Sequence, residues 1–198
     1  MSGIVLASGS AARQRLLRAA GVDFTVDVAH VDETAVVESL TAEKATGRNI
    51  ADVLAELKAL KVSARHSGET VLGADQVLSV GGEILEKPES ATAARAQLLQ
   101  LRGRTHVLSS AVCAARDGVV VWRFVGEARL TVRAFSDAFL DAYLAEAGED
   151  ILGSVGAYHV EGLGAQLFSK IEGDSFTIMG LPLLPLLDFL RTQGLLRT

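Results

Sequence analysis

Apolar residues follow two rhythms along this chain, and the switches between them mark its elements. Residues 3–7 (GIVLA) form a short continuous apolar run, the pattern of a buried strand. Ser10 offers an N-cap to a helix through Leu16, Leu17 and Ala20, which Gly21 stops. Phe24–Val31 alternates apolar and polar residues and predicts a second strand. In 49–65 the apolar positions Ile50, Val53, Leu54, Leu57 and Leu60 recur at helical spacing. Thr70–Val80 reads as a strand, turned by Gly81-Gly82 into Glu83–Leu85. Ser90–Leu101 is a predicted helix with Leu98, Leu99 and Leu101 at its packed end. Asp117-Gly118 is the strongest hairpin signal and joins Thr105–Arg116 to Val119–Phe124, with Glu127–Phe135 continuing the sheet. Helices over Ser136–Ala147 and Leu183–Thr192 complete the pattern. Strands alternating with helices, plus one hairpin, imply an α/β fold with a mixed twisted sheet and flanking helices.

Composition narrows the class. The 198 residues suit a single domain spanning 1–198, and 49% hydrophobic with 22% charged residues suits a soluble globular core. A net charge of −5 argues against a nucleic-acid polymer as partner, while leaving room for a locally cationic pocket for a small anion. The most apolar stretch, 178–190, is too short to span a bilayer and carries two prolines and an aspartate, so no membrane partner is expected. The N-terminal residues lack the features of a signal peptide, and the lone Cys113 lies in an apolar run as an inert buried thiol. Both fit a cytoplasmic location. No internal repeat or low-complexity tract interrupts the chain.

Candidate chemistry gathers at four places. In LASGSAARQRLL (6–17) a strand ends in small residues just before a helix opens, which aims free backbone N–H groups and a helix dipole at one spot. Ser8, Ser10 and Arg13 add hydroxyls and a guanidinium fork suited to phosphate, although a capped helix with a solvated arginine explains the same letters. Asp75 ends the apolar run TVLGA, where a carboxylate is expensive to desolvate unless a cation offsets it. Asp32-Glu33 supplies a second acidic site, or simply an acidic helix start. Carboxylates with waters and substrate phosphates describe a magnesium-type site. Lys58 lies one position beyond the apolar row of its helix, and Lys87 precedes Pro88 in a loop; each taken singly also reads as a solvated lysine. Finally, glycines crowd 153–182, and Glu161 there follows the strand-like Ala157–Val160, where it can accept hydrogen bonds from a base edge or merely occupy a tight turn. The four histidines show no metal spacing, and neither a Walker loop nor a Ser/His/Asp set is present.

The ordered set LASGS…R..LL, GADQV (73–77), EKP (86–88), GAYHVEGLGAQLF with IEGD, and GLP resembles the Maf (septum formation) family across nearly the whole chain. The resemblance implies nucleoside triphosphate pyrophosphatase activity and an elongated, two-lobed fold with a central cleft, like that of the inosine-triphosphate pyrophosphatases. It also implies a divalent metal (Mg²⁺ or Mn²⁺), a homodimer, and cleavage between the α and β phosphates. Carried onto this sequence, Asp75 matches the catalytic acid that activates water and Glu33 the acidic metal position. Ser8, Arg13, Lys58 and Lys87 match positions that hold the triphosphate.

The departures are specific. Ser10-Ala11-Ala12-Arg13 stands where SPRR is usual, Ser154 replaces a common lysine, and Glu161 replaces the glutamine of an IQG motif. Each lost charge-assisted hydrogen bond is worth about 1.5–3 kcal/mol, which weakens phosphate binding if nothing replaces it. GADQV, the single arginine and EGLGAQLF are similar to the subgroup that hydrolyses 7-methyl-GTP. A Glu161 carboxylate suits guanine's N1–H and exocyclic amine and favours a cationic 7-methylated ring. A nucleotide-binding regulator of cell division with little turnover is the alternative that the missing cations favour.

Overall fold

In the computed structural model, which describes residues 3–197, the sheet and helices follow the predicted alternation. Strands are β1 (Ile4–Leu6), β2 (Thr25–Val26), β3 (Thr70–Val80), β4 (Glu83–Leu85), β5 (Thr105–Arg116), β6 (Val119–Val132) and β7 (Phe168–Glu172). Helices are α1 (Ala11–Ala19), α2 (Glu33–Ala42), α3 (Gly47–Ser63), α4 (Ala91–Leu101), α5 (Asp137–Ala147), α6 (Ser175–Ile178) and α7 (Leu183–Thr192). The strand order is β2-β1-β3-β5-β6-β7, with β4 also pairing with β3. β1 runs parallel to β2 and β3, whereas β4 and β7 pair antiparallel, so the sheet is mixed as expected. Among the described residues no helix is long and apolar enough to cross a membrane.

The chain divides into two compact units, and the divisions fall inside β3, β5 and β6. The first unit comprises 1–76, 109–127 and 174–198. Its main core joins Ile4 and Leu6 of β1, Leu17 of α1, Leu72 and Ala74 of β3, Val112 and Ala114 of β5, and Leu183, Leu186, Phe189 and Leu190 of α7. Trp122 stacks on Phe189 at 4.8 Å against that core. The second unit comprises 77–108 and 128–173 and contains β4, α4, α5 and β7.

Several expectations need correction. The strand foreseen over 24–31 shrinks to Thr25–Val26, because β1 offers only Val5 and Leu6 as partners before it breaks into the Ala7–Gly9 loop. Helix α2 follows directly, capped by Asp32, whose carboxylate accepts from Ala35 N at 3.1 Å. β6 runs unbroken through Gly126 instead of pausing there. Ala157–Val160 is not a strand: Ala157 holds a left-handed φ of 59° and the segment turns.

The most consequential correction concerns α3. Its buried side is Gly47, Ile50, Ala51, Leu54, Ala55, Lys58, Ala59 and Val62, so Leu57 of the predicted row is exposed and Lys58 is buried. Small residues decide this rotation. Gly73 of β3 lies so close to the helix that a Cβ there would collide with the Ala55 carbonyl and come within 2.5 Å of Ala59 N. Leucines cannot enter that gap; the alanines do. Thr46 caps this helix start, its Oγ1 accepting from the Asn49 backbone N–H at 3.2 Å.

At the far end of α3, His66 bridges Asp27 Oδ2 (2.9 Å) and Glu69 Oε2 (2.8 Å), and Arg65 forks onto Asp27. The hydrogen bond that His66 donates to Asp27, then the one to Glu69, raises its pKa. Such a group stabilises the fold fully below its unfolded pKa, and the contribution disappears as pH rises through the folded pKa. The stability difference between wild type and His66→Gln therefore shrinks as pH rises above about 6.5, the ordinary histidine value; urea titrations at several pH values measure it. Separately, Gly73→Ala overpacks the helix–strand contact and lowers stability by about 1–3 kcal/mol, read as a reduced urea midpoint.

Candidate active site

Within the first unit, five of the residues singled out from sequence converge. β1 leads into the loop Ala7-Ser8-Gly9, and Ser10 caps α1 by accepting from Arg13 N at 3.4 Å. The Ser10 hydroxyl is thus committed to the helix. Arg13, in the first turn, points inward and is only 8% exposed. Its Nε donates to Gly180 O at 2.8 Å, and its Nη1 donates to Ser8 Oγ and to Ala74 O, both at 3.0 Å. Three of the five guanidinium N–H groups therefore tie together the β1–α1 loop, β3 and the 174–182 loop. Burial lowers the Arg13 pKa, opposed by Asp75 and then Glu33, and the group remains a cation. Arg13 is thus a strut and not the solvated arginine of the alternative reading, and among the described residues its Nη2 makes no hydrogen bond.

Asp75 lies on β3, 7% exposed, and Lys58 on α3, 6% exposed. The Lys58 ammonium sits 2.5 Å from Asp75 Oδ1 and 2.8 Å from Glu33 Oε1. Glu33 is the first residue of α2 and its side chain is half exposed. Burial pushes the Asp75 carboxyl above its ordinary range; Lys58 and then Arg13 pull it back, and Glu33 adds to the rise. Asp75 Oδ2 accepts nothing from the described residues. The site thus presents a desolvated carboxylate with one free oxygen, two buried cations and a second, half-exposed carboxylate.

Both carboxylates aim at one point, which the Lys58 ammonium fills. Among the described residues no group of three or more His, Cys, Asp or Glu side chains could hold a metal by itself. Two carboxylates nevertheless suit Mg²⁺, which takes one or two protein oxygens and completes its shell with waters and substrate phosphates. The residues fit such an ion as a partial site.

The sequence reading missed the group that supports this arrangement. Gln76 Nε2 donates to Ser110 Oγ (2.9 Å), Ile178 O (2.9 Å) and Thr177 O (3.1 Å), and Ser110 Oγ donates to Thr177 O at 2.7 Å. Asp174 caps α6 by accepting from Thr177 N at 2.9 Å. Gly180, at φ 92°, then presents its carbonyl to Arg13. The signal was available as the GADQV and IEGD…GLP letters, but their partnership spans about a hundred residues and has no local periodicity.

Lys87 and Glu161 belong to the second unit. Lys87 is exposed beside the buried Pro88, and Glu161 is exposed in the turn closed by Gly162 N donating to His159 O at 3.2 Å.

This combination of a mixed α/β sheet, a buried aspartate beside a lysine and an arginine held over a helix start defines a phosphate-handling class of protein. The chain belongs to the Maf family: the model described as Maf-like protein matches residues 3–193. It is 57% identical over 190 residues to a nucleoside triphosphate pyrophosphatase of Paramagnetospirillum magneticum, covering 96% of this chain and 98% of that protein. A nucleoside triphosphate pyrophosphatase of Caulobacter vibrioides is 55% identical over 193 residues, covering 98% and 96%. A 7-methyl-GTP pyrophosphatase of Brucella abortus is 50% identical over 190 residues, covering 96% of each.

Removing one partner of the buried pair leaves an uncompensated charge. Lys58→Met should lower stability by about 3–5 kcal/mol. Asp75→Asn introduced into that variant should recover part of the loss, because the orphaned carboxylate is then gone. A double-mutant cycle by urea unfolding measures the coupling, and additive effects would contradict it.

Proposed function

We propose that this protein is a nucleoside triphosphate pyrophosphatase that releases pyrophosphate and a nucleoside monophosphate, with 7-methyl-GTP among its substrates. The observation that carries the reading is Asp75, a buried carboxylate with one free oxygen, flanked by Lys58 and Arg13. Full-length relatives bearing those activity names support it.

In this mechanism Asp75 Oδ2 accepts a proton from water as the water oxygen attacks the α-phosphorus. The bond from that phosphorus to the α–β bridging oxygen breaks, and pyrophosphate leaves. Burial raises the basicity of Asp75, the direction a general base near neutral pH requires. Lys58 keeps the carboxylate ionised before reaction and offers its charge to the phosphates. Arg13 holds the β1–α1 loop so that backbone N–H groups at the start of α1 face an anion, with Nη2 as a direct donor. Glu33 and Asp75 would hold a Mg²⁺ or Mn²⁺ ion, which supplies charge neutralisation to the phosphates when bound. The family resemblance adds Lys87 as a proposed phosphate-binding residue. Glu161 offers a carboxylate to the N1–H and amine of a guanine base. The reading includes a homodimer, as the family resemblance implies, and a cytoplasmic location, which the lone buried cysteine fits.

Asp75→Asn should lower stability, with Glu33 left as the partner of Lys58, and in the folded protein should lower turnover by at least about 100-fold, the usual scale of general-base loss. Pyrophosphate release from 7-methyl-GTP, GTP, UTP and dTTP with Mg²⁺ or Mn²⁺ checks activity and selectivity together. Near-normal turnover in a folded Asp75→Asn protein removes the general-base role. Release favouring pyrimidines keeps the enzyme class and rejects the base-reading role of Glu161.

A further inference from the structure

The turn that carries Glu161 stands on a buried polar post. Tyr158 is 4% exposed and His106, on β5, is fully buried. The Tyr158 hydroxyl lies 2.6 Å from His106 Nε2, and its ring meets Phe168 edge-on at 4.8 Å. Tyr143 of α5 donates its hydroxyl to Ala157 O at 3.0 Å, on the residue just before the post. All of these residues lie in the second unit.

The backbone here is held in conformations that packing alone seldom favours. Ala157 occupies the left-handed region at φ 59°, where a residue with a Cβ is strained. A Cβ on Gly156 would lie 2.7 Å from the Tyr158 ring and 2.8 Å from Leu78. One on Gly164 would lie 2.5 Å from the His159 carbonyl. The segment 156–164 therefore fits closely around Tyr158. His106 has a buried Nδ1 that finds no partner among the described residues, and desolvation lowers its pKa to about 4, so the imidazole is neutral. A buried aromatic or leucine would fill the same space without an unpaired polar atom. Its retention points to what Nε2 does for Tyr158.

We propose that His106 and Tyr158 are positioning residues that fix the 159–162 turn and so set substrate base selection through the Glu161 carboxylate. This rests on the reading of Glu161 as the base-contacting side chain. Val160 and Glu161 occupy the two central positions of the turn closed from Gly162 N to His159 O. A tilt of Tyr158 moves them together, because Tyr158 immediately precedes the turn. Hydrogen-bonded selection is steep in the position of its acceptor, so a small displacement is read as lost discrimination.

The test uses Tyr158→Phe, which keeps the ring against Phe168 and removes only the hydroxyl, with Glu161→Gln in parallel. kcat/KM is measured for 7-methyl-GTP, GTP and UTP, together with amide hydrogen exchange of 157–165 in the free protein. Tyr158→Phe is expected to lower the ratio of 7-methyl-GTP to UTP about three- to tenfold, the scale of one hydrogen bond, with faster exchange in the turn. Loss of stability with an unchanged ratio and unchanged exchange overturns the proposal, as does faster exchange with an unchanged ratio. If Glu161→Gln leaves the ratio alone while Tyr158→Phe moves it, Glu161 is not the reader and the post still positions the turn that is. If Glu161→Gln moves the ratio and Tyr158→Phe does not, the base reading stands and the post has no part in it.

Discussion

The ion pair between Lys58 and Asp75 is the constraint on which the candidate active site depends. Each side chain is nearly excluded from water, and neither is affordable there alone. Their meeting requires α3 and β3 to approach more closely than ordinary side chains allow, and Gly73 opposite Ala55 and Ala59 makes that approach possible. The same strand then carries Asp75 and Gln76 on successive positions, which a pleated strand sends to opposite sides. Asp75 faces the lysine, while Gln76 reaches the carbonyls of Thr177 and Ile178.

Charge and support are thereby linked through one short strand segment. Ala74 lends its carbonyl to Arg13, which also receives Gly180 from the loop that Gln76 anchors. Arg13 is therefore a member of the scaffold. The second unit repeats the logic with neutral groups. There Tyr158, His106 and Tyr143 hold a turn in place by hydrogen bonds made in a dry interior, where each is stronger than in water and costlier to leave unmade.

Much of the fold was legible from local pattern. The bounds of β3, β4, β5, α4 and α7 coincide with the apolar runs and caps, and Ser10, Ser90 and Ser136 cap the helices they precede. Residues with strong chemical demands also announced themselves: Asp75, which follows the apolar run TVLGA within β3, reads correctly as needing a cation, because desolvating it otherwise is too costly. What misled was the rotation of α3. Leu57 and Val53 outweigh Ala55 and Ala59 on any hydrophobicity count, yet the contact is decided by size, with Gly73 some fifteen residues away in the chain setting the gap.

Local order in the chain settled most of the strands and helices, β3, β4, β5, α4 and α7 among them, and that Asp75 would need a positive partner, since these follow from periodicity, capping and desolvation within a few residues. Tertiary structure alone decided that the partner is Lys58, that Arg13 is a strut, and that Gln76 holds the 174–182 loop. Those outcomes depend on steric fit and hydrogen-bond geometry between segments far apart in sequence, and no pattern within a single segment encodes them.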